Sequence, residues 1–279
     1  MAFFSGSRIN TNVGALNAFN ALNNINSKIG SVQLKLATGL RINSAGDDPA
    51  GYTIGKKLQA RSKSLSAALN NVGELKNILS VAEGGLQNIN DIFVGIKEKA
   101  IQAGNGSYGS EELSAIVTQV QDQLNEVGDI ISQTKFNGSK LLDANFTSKV
   151  FQVGADGGDT LTVSLSATID SGDFGLNSLT SASFQGTALT STLSSLDTAI
   201  SRVSTELQNV GSLISRLDVK ESNLDIAITN TDAAQSRIFD ADIAKQQVQA
   251  TKLQILQQTA TVQLAQANAA PQSILSLFR

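Results

Sequence analysis

The chain has 279 residues, of which 41% are hydrophobic, 5% are aromatic and 16% are charged, and its formal net charge is −3. It contains no cysteine and no histidine, which excludes disulfides and removes the commonest metal ligands and the commonest general base. No basic cluster is long enough for nucleic-acid binding, and no apolar run is long enough for membrane insertion. We therefore expect no enzyme, no cofactor and no metal site, and the scarcity of aromatics favours long helices over one thick core.

The first segment of the chain is basic and amphipathic. Residues 1–46 contain four basic residues and no acidic one. Apolar residues recur there every three or four positions, which is the spacing of one helix face. These residues are Leu22, Ile25, Ile29, Val32 and Leu36. The pattern predicts an N-terminal helix with a narrow apolar stripe.

Two acidic residues precede the first proline, at Asp47-Asp48-Pro49. Paired carboxylates can bind a metal or act in acid–base chemistry. Asp is also a preferred N-cap residue, and Pro is common in the first turn of a helix. We interpret this step as the start of a second helix.

The clearest periodicity lies in residues 53–103. Seven apolar residues recur every seven positions, and a second series from Ile54 to Ile96 precedes each of them by four. The first series is Leu58, Leu65, Val72, Leu79, Leu86, Phe93 and Ala100. Two apolar positions per heptad are typical of coiled-coil packing, and the predicted helix is roughly 75 Å long. Gly104 and Asn105 then end it.

Another helix and a hairpin follow. Ser110-Glu111-Glu112 supplies a cap and an acidic first turn, and Asn137-Gly138 is expected to stop the helix. Val150–Val153 and Thr160–Leu165 alternate apolar and polar residues around the turn Asp156-Gly157-Gly158-Asp159, which predicts a β-hairpin. The turn has too few ligands for a calcium loop. Residues 170–190 are predicted to be loop or irregular strand.

Two further apolar patterns complete the chain. The heptad rhythm returns in residues 193–228 and includes Leu207, Val210 and Leu217. A looser apolar stripe follows, formed by Ile243, Val248, Leu253, Ile255, Leu256, Val262 and Leu264. Residues 253–278, which hold most of this stripe, contain no charged residue. We predict a mainly α fold, in which a long coiled-coil-like helical bundle carries a small β-hairpin and the N- and C-terminal helices pair in a separate inner layer. Terminal stripes of this kind need a partner, and the simplest partners are each other and further copies of the chain.

Three blocks of sequence carry a resemblance to a known family. The run from Leu36 to Gly51, Leu-Ala-Thr-Gly-Leu-Arg-Ile-Asn-Ser-Ala-Gly-Asp-Asp-Pro-Ala-Gly, resembles the signature of bacterial flagellins. Arg8-Ile9-Asn10-Thr11-Asn12 is similar to their N-terminal motif. Residues 251–258 and 265–268, followed by Pro271 to Arg279, are similar to their C-terminal end. The resemblance covers the chain except about residues 150–190.

The resemblance implies a short flagellin without large outer D2 and D3 domains. Residues 1–43 and 235–279 would be D0-like terminal helices, 44–149 and 186–234 a D1-like bundle, and 150–185 the D1 β-hairpin and loop. The chain would self-assemble into the extracellular bacterial flagellar filament that drives motility. Self-assembly is then assigned to a set of residues at both ends of the chain: Leu22, Ile25, Ile29, Val32, Leu36, Arg41, Asn43, Leu253, Ile255, Leu256, Val262, Leu264, Leu275 and Leu277. The bundle seam is assigned to Leu58, Leu65, Val72, Leu79, Leu86, Phe93, Leu207, Val210 and Leu217.

The same resemblance names partners. Export would use the flagellar type III machinery, with an export chaperone at the C-terminal helix, and this agrees with the absence of a secretory signal at Met1-Ala2-Phe3-Phe4. Filament-cap and hook-junction proteins would contact the ends of the filament. The monomer's ends would be disordered until polymerised.

One family motif is altered here. Many flagellins have an Arg-Glu-Leu-Ala run that is implicated in recognition by the vertebrate innate receptor TLR5, and this chain has Lys97-Glu98-Lys99-Ala100. The facing helix has Gln119 where a Glu is usual. A charge in an apolar contact is costly, so we expect weakened TLR5 recognition.

Other classes of protein were weighed. Heptads alone fit any long coiled coil. A hook–filament junction protein shares the terminal helices, but the complete C-terminal block favours a filament subunit. A lipid-binding amphipathic helix would carry Lys or Arg and aromatic residues, which residues 253–278 do not provide apart from Phe278.

Overall fold

The computed structural model of the chain describes residues 11–143, 146–165, 176 and 179–275. Within them lie five α-helices and four short strands. The helices are α1 (Val13–Thr38), α2 (Pro49–Ala103), α3 (Ser110–Gln133), α4 (Gly186–Phe239) and α5 (Ile243–Leu275). The strands are β1 (Lys135–Phe136), β2 (Ser139–Lys140), β3 (Lys149–Gln152) and β4 (Thr160–Val163), and a 3₁₀ helix spans Ser181–Phe184. This element order confirms the predicted mainly α fold with a small hairpin.

The chain forms two compact units. The terminal unit comprises the residues up to Ala60 together with those from Asn230 onward, and the bundle unit comprises Arg61–Thr229. The terminal unit contains α1 and α5, and the bundle unit contains α3 and the four strands. Each unit has its own cluster of buried side chains.

The ends of α1 follow from its sequence. The side chain of Asn12 accepts a hydrogen bond of 3.0 Å from the backbone N–H of Ala15, which satisfies one free donor of the first turn. At the other end Gly39 adopts a left-handed conformation, φ 71°, and its N–H donates to the Lys35 carbonyl. A residue with a Cβ is strained in this conformation, so glycine ends the helix here.

In the bundle unit, α2 runs antiparallel to both α3 and α4. Lys76 of α2 pairs with Asp218 of α4, and further along α2 Lys97 pairs with Asp197. The heptad faces meet in one hydrophobic core, which confirms the predicted coiled-coil-like bundle. Of the predicted seam residues, seven are buried: Leu65, Val72, Leu79, Leu86, Phe93, Val210 and Leu217.

The predicted seams also contain residues that are not fully buried. Leu58 and Leu207 are half-buried, and Ile54 is 52% exposed. Ile54 and Leu58 precede Arg61, so they belong to the terminal unit and lie outside the bundle core. Leu207 still packs against that core at its edge. The heptad spacing therefore continues into the first turns of α2, although those turns lie outside the bundle core.

The predicted ends of α3 are wrong in detail. Its N-cap is Gly109, which has no side chain to cap the helix. Ser110, the predicted cap, is instead the first helical residue. The helix ends at Gln133, and Asn137-Gly138 forms the two-residue turn between β1 and β2, with φ 48° and φ 81°. Positive φ at both positions is typical of the tight type I′ hairpin turn, for which Asn-Gly is preferred. The sequence analysis therefore mistook a hairpin for a helix stop.

The second hairpin confirms its prediction within two residues at each strand. Val150 pairs with Thr162 and Phe151 with Leu161 in an antiparallel register. Phe151 and Leu161 share the face that packs on the bundle core, while Val150 on the other face is 63% exposed. The alternation of apolar and polar residues thus places one face inward, as expected for a half-buried strand.

Candidate assembly interface

The terminal helices α1 and α5 pair in antiparallel orientation. Near one end, the side-chain amide of Asn12 donates to the carbonyl of Ala267 at 2.6 Å. Midway along the pair, Gln257 Nε2 donates to Asn26 Oδ1 at 2.7 Å. Polar contacts at both places fix the register of the two helices, because a shift by one turn would leave these amides unpaired.

The apolar contact inside this pair is small. Val32, Ala250 and Leu253 are buried, and Ile29 and Leu36 pack against them. Helices of this length depend on tertiary burial for most of their stability in water. Three buried side chains along helices of 26 and 33 residues leave the pair weakly stabilised in a single chain.

A second apolar stripe lies on the opposite side of each helix. On α5, Val248, Ile255 and Val262 are spaced by seven residues and are 58–71% exposed. The residues facing α1, such as Ala250 and Leu253, lie on the other side of the same helix. On α1 the outer stripe consists of Val13, Leu16, Phe19 and Leu34, which are 45–55% exposed. Each terminal helix therefore has an inner face that is used within the chain and an apolar outer face that is exposed among the residues that the structure describes.

The predicted self-assembly residues divide between these two faces. Val32 and Leu253 are buried within the single chain, so at these positions the two terminal helices cover each other. Leu22, Ile25, Ile29, Leu36 and Leu264 are half-buried in the same pair. Ile255, Leu256 and Val262 are exposed. The side chain of Leu275 and the whole of Leu277 lie outside the described residues.

The outer stripe of α1 was not predicted from the sequence. Val13, Leu16 and Phe19 are spaced by three residues, and Leu34 lies five helical turns after Leu16. Helical periodicity alone could have found this second stripe, since it lies about half a turn from the first.

Backbone hydrogen bonds join the segment between α1 and α2 to the segment between α4 and α5. The N–H of Arg41 donates to the carbonyl of Phe239 at 2.6 Å, and the N–H of Ala241 donates to the carbonyl of Gly39 at 2.8 Å. Together they make an antiparallel bridge between Leu40 and Asp240. We call residues 39–41 and 239–241 the junction.

Arg41 has a role within the chain at this junction. Its guanidinium donates to the carbonyl of Ile238 through Nη2 at 2.8 Å and through Nε at 3.3 Å. That carbonyl lies in the last turn of α4, where a cation is favoured by the partial negative charge of the helix end. Its predicted part in contacts between copies remains a prediction.

Asn43 lies in a loop that is organised by Asp47. Asp47 Oδ2 accepts hydrogen bonds from the backbone N–H groups of Asn43 and Ser44 at 3.0 and 2.9 Å. These bonds to the charged form lower the pKa of Asp47 below its usual value. Asp48 accepts from the N–H of Gly51 at 2.9 Å at the start of α2, which confirms the predicted cap.

Phe239 is buried at the end of α4 and is held by two residues of α2. Its ring lies against Gly55, and Tyr52 contacts it edge to face with centroids 6.2 Å apart. Nothing in the sequence pattern indicated this contact, because it joins two helices that are far apart in the chain.

The residues of the altered receptor motif lie on the surface of the bundle unit. Lys97 forms an ion pair with Asp197, and Glu98 and Gln119 are exposed. Lys99 Nζ donates to Gln102 Oε1 at 3.4 Å. Lys97 and Lys99 are half-buried, so only Glu98 and Gln119 are fully exposed to a partner.

No helix in the described ranges is both long and apolar enough to cross a bilayer. No group of three or more carboxylates in those ranges could hold a metal ion.

Nearly the whole chain is similar to known proteins. Residues 9–147 match the family model of the bacterial flagellin N-terminal helical region, and residues 193–278 match that of the C-terminal helical region. Over 97% of its length the chain is 35% identical to Flagellin FlaB1 of Treponema pallidum (strain Nichols), covering 99% of that protein. It is 33% identical to the flagellin of Bacillus subtilis (strain 168), with 98% of this chain and 100% of that protein covered.

A solved structure shares the fold. A putative flagellar hook-associated protein from Vibrio parahaemolyticus matches 70% of this chain and all of its own chain with a TM-score of 0.62. Its sequence identity is 17%, so the likeness concerns the fold alone. The two family models and the relatives at 33–35% identity show that the chain belongs to the bacterial flagellin family, whose members are structural subunits of the extracellular flagellar filament and not enzymes.

Proposed function

We propose that this filament subunit assembles through the outer apolar faces of α1 and α5. The observation that carries the proposal is the stripe Val248, Ile255 and Val262, which lies opposite the face that α5 buries against α1. Burying apolar surface contributes roughly 25 cal/mol per Å², so each neighbour that covers this stripe stabilises both the contact and the helix pair. Contacts between two different faces produce a helical filament when the rotation between copies does not close a ring.

This proposal assigns a layer to each part of the chain. Residues 1–43 and 235–279 form the inner D0-like layer around the lumen, and 44–149 with 186–234 form the D1-like bundle. Residues 150–185 form the hairpin and loop of that bundle. The small buried cluster around Val32 supports the view that the terminal layer gains most of its stability on assembly.

The same weak pairing suits export. A chain whose terminal helices are only marginally stable alone is easily threaded in an extended form through the flagellar type III machinery, and a chaperone can cover α5 beforehand. In the filament, the exposed outer faces at the two ends would bind the cap and the hook-junction proteins.

Seeded elongation tests the proposal. Purified monomer is added to filament fragments, and the rate of growth is compared for the wild type, Ile255→Asp and the matched control Gln254→Asp. Both substitutions add one charge to adjacent exposed positions of α5, but only Ile255 belongs to the outer stripe. We expect Ile255→Asp to abolish growth and Gln254→Asp to retain it. Equal growth of both variants would exclude the outer stripe as the interface, and capping of the seeds by the wild type would indicate a junction protein.

A further inference from the structure

The bundle unit contains a cleft that the packing of the terminal helices does not use. One wall is the β3–β4 hairpin, with Val153 and Leu161, and the other is α4 between Ser212 and Asn223. The cleft has a volume of about 550 Å³. Its floor includes the buried Leu217, and Val219 on its rim is 63% exposed. An apolar surface of this kind, open to solvent, is typical of an interaction site.

The charge on this cleft is positive. Arg216 and Lys220 lie one helical turn apart on α4 and both line it, and the lining contains no acidic residue. The neighbouring acids, Asp218 and Glu221, are both paired with Lys76 at 2.7 Å. In the part of the chain that the structure describes, neither Arg216 nor Lys220 forms an ion pair.

A complementary surface lies on α3. This helix has no Lys or Arg, and four exposed acidic residues lie along one of its sides: Glu111, Asp122, Glu126 and Asp129. Their spacing of eleven, four and three residues keeps them on one face of a helix. Within the described ranges none of these carboxylates pairs with a cation. We call these residues the acidic stripe.

The acidic stripe cannot reach the cleft of its own chain. The side chain of Gln123 on α3 lies beside Gly95 of α2, whereas the cleft lies at the level of Lys76 and of Asn71, whose side chain donates to the carbonyl of Gln152 in the hairpin. Thr134, just after α3, lies beside Gly85 of α2, so Asp129 is the stripe residue nearest the cleft. About 14 residues of α2 separate its level from that of Lys76, which corresponds to roughly 20 Å. This is more than two Debye lengths at physiological salt, so the two surfaces do not neutralise each other within one chain.

We propose that the cleft between the hairpin and α4 binds the acidic stripe of α3 of a second copy of this chain. The contact joins two different surfaces, so each copy offers one to the copy before it and one to the copy after it, which is compatible with an open helical filament. The apolar floor contributes burial, and the Arg216 and Lys220 rim selects the acidic helix and fixes its register. The inference rests on the proposed filament and adds a bundle contact to the terminal one.

Charge reversal tests this contact. The variants are Arg216→Glu/Lys220→Glu, Asp122→Lys/Glu126→Lys and the combination of all four substitutions, with Lys63→Glu/Lys140→Glu as a control of equal charge change outside both surfaces. The seeds for each variant are filament fragments made of that same variant. Elongation from them is measured at low and at high salt. We expect each double variant to raise the critical concentration about tenfold at low salt, because exposed charge pairs are screened only at high salt. The fourfold variant, which carries all four substitutions, should regain most of the lost affinity, because opposite charges are again juxtaposed.

A cross-linking measurement removes the dependence on mutants that fail to fold. Carbodiimide treatment of filaments grown from isotopically mixed wild-type monomers should join Lys220 of one copy to a carboxylate of the acidic stripe of another. Absence of that cross-link, or failure of the fourfold variant to recover, overturns the cleft contact. If the wild type elongates and Arg216→Glu/Lys220→Glu elongates equally well, the cleft contact is wrong while the filament function stands. If the wild type fails to elongate, the proposed function itself is wrong.

Discussion

Gly55 of α2 lies so close to Phe239 at the end of α4 that a Cβ added to the glycine would be 2.1 Å from the Cε2 atom of the ring. No side chain larger than hydrogen fits at position 55 unless the ring moves. Since Phe239 also carries the carbonyl that accepts from Arg41, the contact holds the junction between the two connections of the terminal unit.

Gly55→Ala should therefore displace Phe239 and loosen the junction. Overpacking of this kind costs about 1–3 kcal/mol, which exceeds the roughly 1 kcal/mol that Ala gains over Gly in a helix. Hydrogen exchange of the Arg41 and Ala241 amides should become faster. Gly30→Ala is the matched control in the same unit, because nothing lies within 4 Å of its added Cβ, and it should leave these amides protected. Unchanged exchange in Gly55→Ala would show that the ring moves freely.

The loop that Asp47 organises should depend on pH. The pKa of Asp47 is lowered in the folded chain by the N–H groups of Ser44 and Asn43, so the stabilisation is present above its ordinary value of 3.8 and is lost as the pH falls through the lower folded value. NMR titration of the Ser44 amide should show this transition below pH 3.8. Asp47→Asn should remove it, and a transition that persists in this variant would assign the effect to another group.

Lys76 links α2 to α4 through Asp218 and Glu221. The hydrogen bond to Asp218 and then that to Glu221 raise the pKa of Lys76. A raised pKa contributes stability below the unfolded value of 10.5, and this stability is lost as the pH rises through the folded value. Lys76→Met should lower the free energy of unfolding at pH 7 only modestly, since the partly exposed partners are screened by solvent.

The pH dependence of that difference provides the check. Urea unfolding at pH 7 and at pH above 10.5 should show a smaller gap between wild type and Lys76→Met at the higher pH. A gap that grows with pH would contradict the direction of the shift.

Receptor recognition should respond to the altered motif. We expect Lys99→Leu, alone or with Gln119→Glu, to increase activation of TLR5 by the monomer, because a lysine no longer has to be desolvated in an apolar contact. A cell reporter assay over a range of monomer concentrations measures this, and Lys63→Leu is a control outside the motif. Nanomolar activation by the unchanged chain would contradict the prediction of weakened recognition.

Much of the fold could be read from the sequence, for a physical reason. The seam from Leu65 to Phe93 is buried by helices on either side, so its heptad spacing records the packing directly. The strands of the β3–β4 hairpin show their alternation because one face is buried. Asn137-Gly138 was misinterpreted because the same two residues suit both a helix end and a hairpin turn.

The details of the candidate interface were less accessible to sequence. The inner stripe of α1 was found from its period, but whether Val32 is covered by the same chain or by a neighbour depends on where α5 lies. Arg41 was assigned to assembly by resemblance, and its bonds to Ile238 depend on a contact between distant segments. Contacts such as that of Gly55 with Phe239 leave no periodic signal.

The most direct test of the account compares amide exchange of α5 in the monomer and in the assembled filament. Because few side chains are buried between α1 and α5, we expect the amides of residues 248–262 to exchange rapidly in the monomer and to be strongly protected in filaments. Strong protection of this segment in the monomer, with no increase on assembly, would contradict the claim that neighbouring copies cover its outer face.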